Sequence, residues 1–279
     1  MDGLERYPMA RRGFVMTSLI SGFTLATTRV EAQAIHTDTV GLTAGETQIP
    51  TSDGALPAYF ARPDGAGPFP IVLVVEEIFG IHEYIKDVCR RLAKQGYLAV
   101  AAEYYARVGD LAKITDSQEL SATVAKAPDG QMMMDMDTVA DWATSNHGYS
   151  ARLGITGFCR GGRQTWLYAA HSTRLKAAVS WYGILDGGPT ANQPQSVLDL
   201  IPDMKCPVLG LYGSKDALNP MSQIEQAETE AKRAVHPIEF VIYPGAPHGF
   251  DADYRPSYRE ADAKDGWARM LAWFQRYGA

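Results

Sequence analysis

Four side chains in this sequence combine reactive chemistry with a setting that could use it: Glu77, Cys159, Asp216 and His248. Cys159 stands in the run Gly157-Phe158-Cys159-Arg160-Gly161-Gly162. An apolar stretch precedes it and an amphipathic stretch follows. The pattern reads as strand, sharp turn, helix, with a nucleophilic sulfur at the turn where serine is commoner. The glycines answer crowding. An elbow nucleophile sits in a strained backbone, and a side chain two residues away would strike it or the neighbouring strand. The helix N-terminus supplies partial positive charge, which favours a thiolate. A Gly-rich turn around an inert, buried thiol would give the same local pattern, so the rest of the chain must decide.

Each other member has a chemical role to fill. His248 would hold the thiolate as an ion pair and then protonate the leaving group, while Asp216 would orient the imidazole and stabilise its charged form. As alternatives, Asp216 is a turn or cap residue ahead of Pro220 and His248 a solvated loop residue. Asp186, which also follows a strand, competes for the role of the acid. Glu77 is a further carboxyl beside the expected site, and a plain ion pair with Arg160 or another cation at the pocket rim would account for it. Cys89 lies on a helical apolar stripe and Cys206 just before a strand, so both read as core thiols. His36, His82, His147, His171 and His236 receive no role.

These residues need a scaffold that brings them together. Pro70–Val75 is a continuous apolar, β-branched run, as in a strand buried on both faces. Further strands are expected over 55–61, 97–102, 152–156, 177–181, 207–212 and 238–243. Helices are expected over 82–96, 129–144, 163–171, 220–234 and 258–277. Residues 35–54 read as an extended lead-in and 184–204 as a loop, while 103–127 carry no clear period. Strands alternating with helices predict an α/β fold, a mostly parallel sheet with helices on both faces. Ligands bind outside the carboxyl ends of such strands, and Glu77, Cys159, Asp216 and His248 each lie just past one. Their order, nucleophile, acid, histidine, is that of the α/β-hydrolase fold.

The motifs Glu76-Glu77-Ile78-Phe79-Gly80, Gly157-Phe158-Cys159-Arg160-Gly161-Gly162, Lys215-Asp216 and His248-Gly249-Phe250, with Glu103-Tyr104-Tyr105-Ala106-Arg107, resemble those of the dienelactone hydrolase (carboxymethylenebutenolidase) family over most of residues 50–275. The resemblance implies a hydrolase of a lactone or carboxylic ester that works through an acyl-enzyme and needs no cofactor or metal. It implies Cys159, Asp216 and His248 as the triad and Glu77 as a partner of the thiol, where its carboxylate would oppose thiolate formation by like charge and could accept the thiol's proton once substrate enters. It places the backbone N–H groups of Ile78 and Arg160 in the oxyanion hole, and Arg107, Trp181, Tyr182 and Phe250 at the substrate. The family's carboxylate-binding arginine shortly after the triad histidine is not matched. The chain reads Phe250-Asp251-Ala252-Asp253 there, with Arg255 beyond and Arg160 and Arg163 as other candidates. A non-catalytic binding protein on the same fold is the alternative. A redox thiol protein is less well supported, since no second cysteine forms a C-x-x-C pair with Cys159.

The N-terminus is of another kind. Arg11-Arg12 precede an apolar run from Phe14 to about Ala26, and Ala32-Gln33-Ala34 is a small-x-small cleavage pattern. Residues 1–34 thus resemble a twin-arginine export signal, and its apolar run is short of the roughly 20 residues of a membrane span. The expectation is a periplasmic protein of one domain, residues 35–279, not membrane-bound after signal removal. Export in the folded state would deliver a shielded thiol to an oxidising compartment. A net charge of −6 argues against nucleic-acid or anionic-membrane partners. Three cysteines do not make a disulfide framework. The sequence leaves the oligomeric state open.

Overall fold

The structure, a computed structural model, describes residues 35–279. The signal-like segment 1–34 lies outside the described residues. Eight strands form one sheet: β1 (Leu42–Thr51), β2 (Gly54–Pro63), β3 (Phe69–Val75), β4 (Leu98–Ala102), β5 (Gly148–Phe158), β6 (Ala177–Trp181), β7 (Val208–Gly213) and β8 (Ile238–Tyr243). Their spatial order is β1-β2-β4-β3-β5-β6-β7-β8. β1 pairs antiparallel with β2 and β2 with β4, and every pairing from β4 to β8 is parallel.

Among the described residues, seven α-helical segments follow in chain order: α1 (Glu83–Lys94), α2 (Ser117–Val124), α3 (Asp129–Ser145), α4 (Arg160–His171), α5 (Val197–Leu200), α6 (Met221–Ala231) and α7 (Glu260–Tyr277). β3 shows why the sheet needs cover on both sides. Ile71, Leu73 and Val75 pack into one core with residues of α3, α4 and α6, while Val72 and Val74 pack into the other with α1 and α7. Side chains alternate faces along a strand, so an unbroken apolar run demands two apolar layers.

Three expectations change. Residues 42–51 of the expected lead-in are a full strand, β1, paired along its length with β2. The sequence hid it because it is an edge strand, largely half-exposed with polar residues outward. The stretch 103–127 holds a short 3₁₀ turn at Leu111–Lys113 and α2, which Asp116 caps through the N–H groups of Gln118 and Glu119. The loop 184–204 contains the one-turn α5, capped by Ser196.

Candidate active site

Because β3, β5, β7 and β8 run parallel, their carboxyl ends share one edge of the sheet, and the four reactive residues gather there. The elbow is built as its glycines require. Cys159 has φ of 57°, a left-handed conformation for a residue with a side chain, which costs on the order of 1–3 kcal/mol. A Cβ on Gly157 would overlap Gly161 and Thr165, and one on Gly161 would overlap the carbonyl oxygens of Val75 and Glu76. A Cβ on Gly162 would lie 2.7 Å from Gly183. The absent side chains let α4 start tight against the ends of β3 and β6. The Cys159 N–H donates to Trp181 O at 3.0 Å, so the turn is also tied to β6.

Asp216 and His248 meet because the ends of β7 and β8 are sewn together. Ser214 N–H donates to Tyr243 O and Lys215 N–H to Ala246 O. His248 Nδ1 lies 2.8 Å from Asp216 Oδ2. Asp216 is held in turn by Asn219 Nδ2 at 2.9 Å and the Leu218 N–H at 2.9 Å. Burial works against a charged imidazole at His248, but the Asp216 carboxylate, and then Cys159, raise its pKa to about 10. Burial raises Asp216, yet His248 and the hydrogen bonds bring it below the usual carboxylate range. With Nδ1 engaged on Asp216, Nε2 is buried with no partner among the described residues apart from Cys159, which lies close enough to the ring to interact with it. Asp186, the competing acid, lines the cavity at Cys159 and caps the turn at Gly188 instead.

That cavity, about 230 Å³, is walled by Ile78, Ile184, Ala217, Leu218 and Pro220, with Arg160, Asp186 and Gln223 as its polar side chains. Arg160 is the first residue of α4, so its N–H has no acceptor within the helix. Ile78 flanks the cavity from the end of β3. The Arg160 guanidinium donates to Gln193 Oε1 at 2.5 Å, and Gln193 Nε2 is anchored on the carbonyls of Val124 and Ala127.

Glu77 is fully buried and paired with a cation, as the ion-pair reading allowed. Its Oε1 pairs with Arg255 Nη2 at 2.9 Å, its Oε2 accepts from the Tyr254 hydroxyl, and His82 Nε2 stands 3.7 Å away. Burial alone would raise its pKa, but Arg255 first, then His82 and Tyr254, hold it at about 2. The cation is therefore Arg255 rather than Arg160, and the pair is deep rather than at a rim.

The expected substrate residues mostly lie elsewhere. Arg107 is paired with Asp53 and Asp135. Trp181 is buried with its indole N–H on Thr156 Oγ1 at 3.2 Å, and Phe250 is buried in the core of the α1 and α7 face. None of the three walls the cavity at Cys159. Aromatic residues at strand ends look alike in sequence whether they face a cavity or a core. Tyr182 sits between these cases, buried with its ring 4.8 Å from that of His248. Arg163 is spent on Asp129, at 2.7 and 2.8 Å. Cys89 and Cys206 are buried thiols whose pKa burial pushes up, to about 12 for Cys206.

Sequence reasoning missed Asn219, His82, Tyr254 and Asp251. Asn219 had a signal in its place three residues after Asp216. The others are brought in only by tertiary packing. No group of three or more His, Cys, Asp or Glu among the described residues is arranged to hold a metal ion.

A profile of the dienelactone hydrolase family matches residues 56–278. A Methylorubrum extorquens protein named "Putative carboxymethylenebutenolidase" is 52% identical over 273 residues, 97% of this chain and 94% of its own length. An Escherichia coli K12 protein of the same name is 49% identical over 264 residues, 94% of this chain and 97% of its own. A Klebsiella pneumoniae crystal structure described as "Putative Dienelactone Hydrolase" is 53% identical with a TM-score of 0.82, covering 85% of this chain and 99% of that one. The sheet is that of an α/β-hydrolase, and the chain belongs to the dienelactone hydrolase family.

Proposed function

We propose that this family member is a cysteine-dependent hydrolase of a lactone or carboxylic ester, acting through Cys159, His248 and Asp216. The observation that carries the reading is the His248 ring. Its Nδ1 is fixed on Asp216 at 2.8 Å, and its buried Nε2 has no partner among the described residues apart from Cys159, which stands in an elbow conformation. An imidazole with a pKa of about 10 stays charged at neutral pH and so supports a thiolate partner.

In this reading the Cys159 sulfur attacks the substrate carbonyl carbon. The developing oxyanion is met by the N–H groups of Ile78 and Arg160. His248 Nε2 gives its proton to the leaving oxygen, and water later releases the acyl group with His248 as base. Apolar walls at Ile78, Ile184 and Leu218 suit the hydrocarbon part of a small ester or lactone. A role for Glu77 as acceptor of the thiol proton requires it to leave Arg255 first, because a carboxylate held at about 2 is a weak base at neutral pH. Glu77→Ala should then change the pH dependence of Cys159 alkylation and lower ester turnover.

The reading is tested by Cys159→Ala and His248→Ala assayed on small activated esters. Losses of several orders of magnitude are expected, and retained turnover in Cys159→Ala would sink the assignment. Covalent trapping of Cys159 by an activated ester, read by intact mass, separates it from a non-catalytic binding protein. Export by the twin-arginine route belongs to the same proposal: replacing Arg11 and Arg12 by Lys should leave the protein in the cytoplasm, and an intact Met1 or Asp2 terminus in native cytosol would contradict it.

A further inference from the structure

Asp251, three residues after His248, is buried and accepts two tyrosine hydroxyls. Tyr182 donates to its Oδ1, and Tyr84 donates to its Oδ2 at 2.7 Å. Tyr182 follows β6 with φ of 39°, a left-handed conformation that a residue with a side chain keeps only when its surroundings hold it there. Three anchors do so. Its N–H donates to Leu211 O at 2.8 Å, its carbonyl accepts from Asn219 Nδ2 at 3.2 Å, and its hydroxyl is held by Asp251. Asn219 is the same residue that donates to Asp216. The ring held in this way packs edge-on against His248, with centroids 4.8 Å apart.

We propose that Asp251 is a positioning residue for the reaction: through Tyr182 it fixes the plane of the His248 ring, so that Nε2 stays aimed at Cys159. The inference rests on the triad reading above. It differs from that reading in locating control of the imidazole outside the Asp216 hydrogen bond. The ring of a histidine held at Nδ1 alone can swing about that bond, and a packed wall on its side removes the freedom. Small misalignments of a general acid cost much rate.

The charge on Asp251 matters to the brace. As a carboxylate it accepts both hydroxyls, whereas as an acid one oxygen must donate, and one of the two tyrosine bonds has to reverse or break. The groups facing it are Tyr182 and Tyr84, which lower its pKa, Glu77, which raises it, and Arg91, which lowers it. Burial outweighs the favourable contacts and puts it at about 7. The raised carboxyl is protonated on the acid side, so the brace loosens as pH falls through neutrality.

The test compares the full-length protein with Asp251→Asn and Tyr182→Phe. For hydrolysis of an activated ester, Asp251→Asn should lower kcat about tenfold with KM within about threefold, and should erase the acid limb near pH 7, since an amide does not titrate. Tyr182→Phe should do the same, and the double variant should be no slower than the slower single one, because both changes cut one link. In parallel, the His248 ring proton shift should show a secondary inflection near pH 7 in the wild type and none in Asp251→Asn. The shift does not depend on turnover, so it still answers if the protein hydrolyses no ester and only the triad reading fails. An unchanged kcat and acid limb in Asp251→Asn would overturn the proposal, as would losses that multiply in the double variant. Should Asp251→Asn fail to fold, Tyr182→Phe gives the same two readings.

Discussion

Glu77 and Arg255 form an ion pair at 2.9 Å that is almost wholly shielded from bulk water, with side-chain exposures of 0% and 8%. Arg255 also lies over the ring of Phe79 at 5.5 Å. The arginine expected shortly after His248 from the family resemblance is not present in Phe250 to Asp253, and Arg255 beyond them is paired with Glu77.

Breaking one side of such a pair leaves an unpaired buried charge. Arg255→Met should destabilise the protein by about 3–5 kcal/mol, measured by denaturant unfolding at pH 7, and adding Glu77→Gln should recover part of the loss. A loss below about 1 kcal/mol would mean that the pair is solvated in solution. The pH sign follows from the depressed pKa of Glu77, about 2 against an ordinary 4.5. Its contribution is complete above 4.5 and disappears as pH falls toward 2, on the order of 3 kcal/mol in all.

Asp216→Asn should act on His248. The carboxylate is the main reason its pKa stands near 10 rather than below 6.5, where burial alone would take it. A raised histidine stabilises the fold fully below 6.5, and that contribution is lost as pH rises through 10. In the amide variant this stabilisation is absent at neutral pH, and the imidazole prefers the wrong tautomer. Turnover should fall by roughly 10³–10⁴, with the histidine titrating below pH 7 by NMR. A histidine still charged at pH 8 would assign its pKa to Cys159 instead.

The elbow glycines give a prediction independent of catalysis. A methyl group on Gly161 meets two backbone carbonyls, of Val75 and Glu76, and neither can move without displacing β3. Gly161→Ala should cost about 3 kcal/mol or more, at the upper end of overpacking, or yield no soluble protein. A thermal shift within 2 °C of wild type would show that the turn is looser than described.

The elbow, the strand ends and the order of the reactive residues were legible in the sequence because they rest on local signals: glycine spacing, apolar runs buried on both faces, and residues just past them. The fates of Arg255, Tyr254 and Asp251 were not. They lie in one turn-rich stretch after His248, and their partners Glu77, Tyr84 and Tyr182 come from three other segments. Nothing in the local pattern of Phe250 to Arg255 says which carboxylate meets which cation. Edge strand β1 escaped for the opposite reason, since a strand with one solvated edge needs few apolar residues.

Glu76, beside Glu77, shows how strongly context divides two adjacent carboxyls. Its Oε1 accepts the Tyr104 N–H at 3.0 Å, and its Oε2 is buried without a hydrogen-bond partner among the described residues. Burial, reinforced by Glu103, raises its pKa well above the ordinary 4.5. Glu103 in turn accepts the Ile81 N–H at 2.7 Å, so each glutamate ties the end of its own strand to the loop after the other. A carboxyl with a raised pKa is protonated when folded and ionised when unfolded, so above pH 4.5 stability falls as pH rises, by about 1.4 kcal/mol per pH unit until the folded pKa is reached. Glu76→Gln keeps an acceptor for Tyr104 and removes the titration. It should match the wild type near pH 4 and exceed it increasingly as pH rises above 5, the difference in unfolding free energy following that slope until the folded pKa of Glu76 is reached. A difference independent of pH would show that Glu76 is ionised in the folded protein, with its free oxygen bound by a group or water that balances the charge.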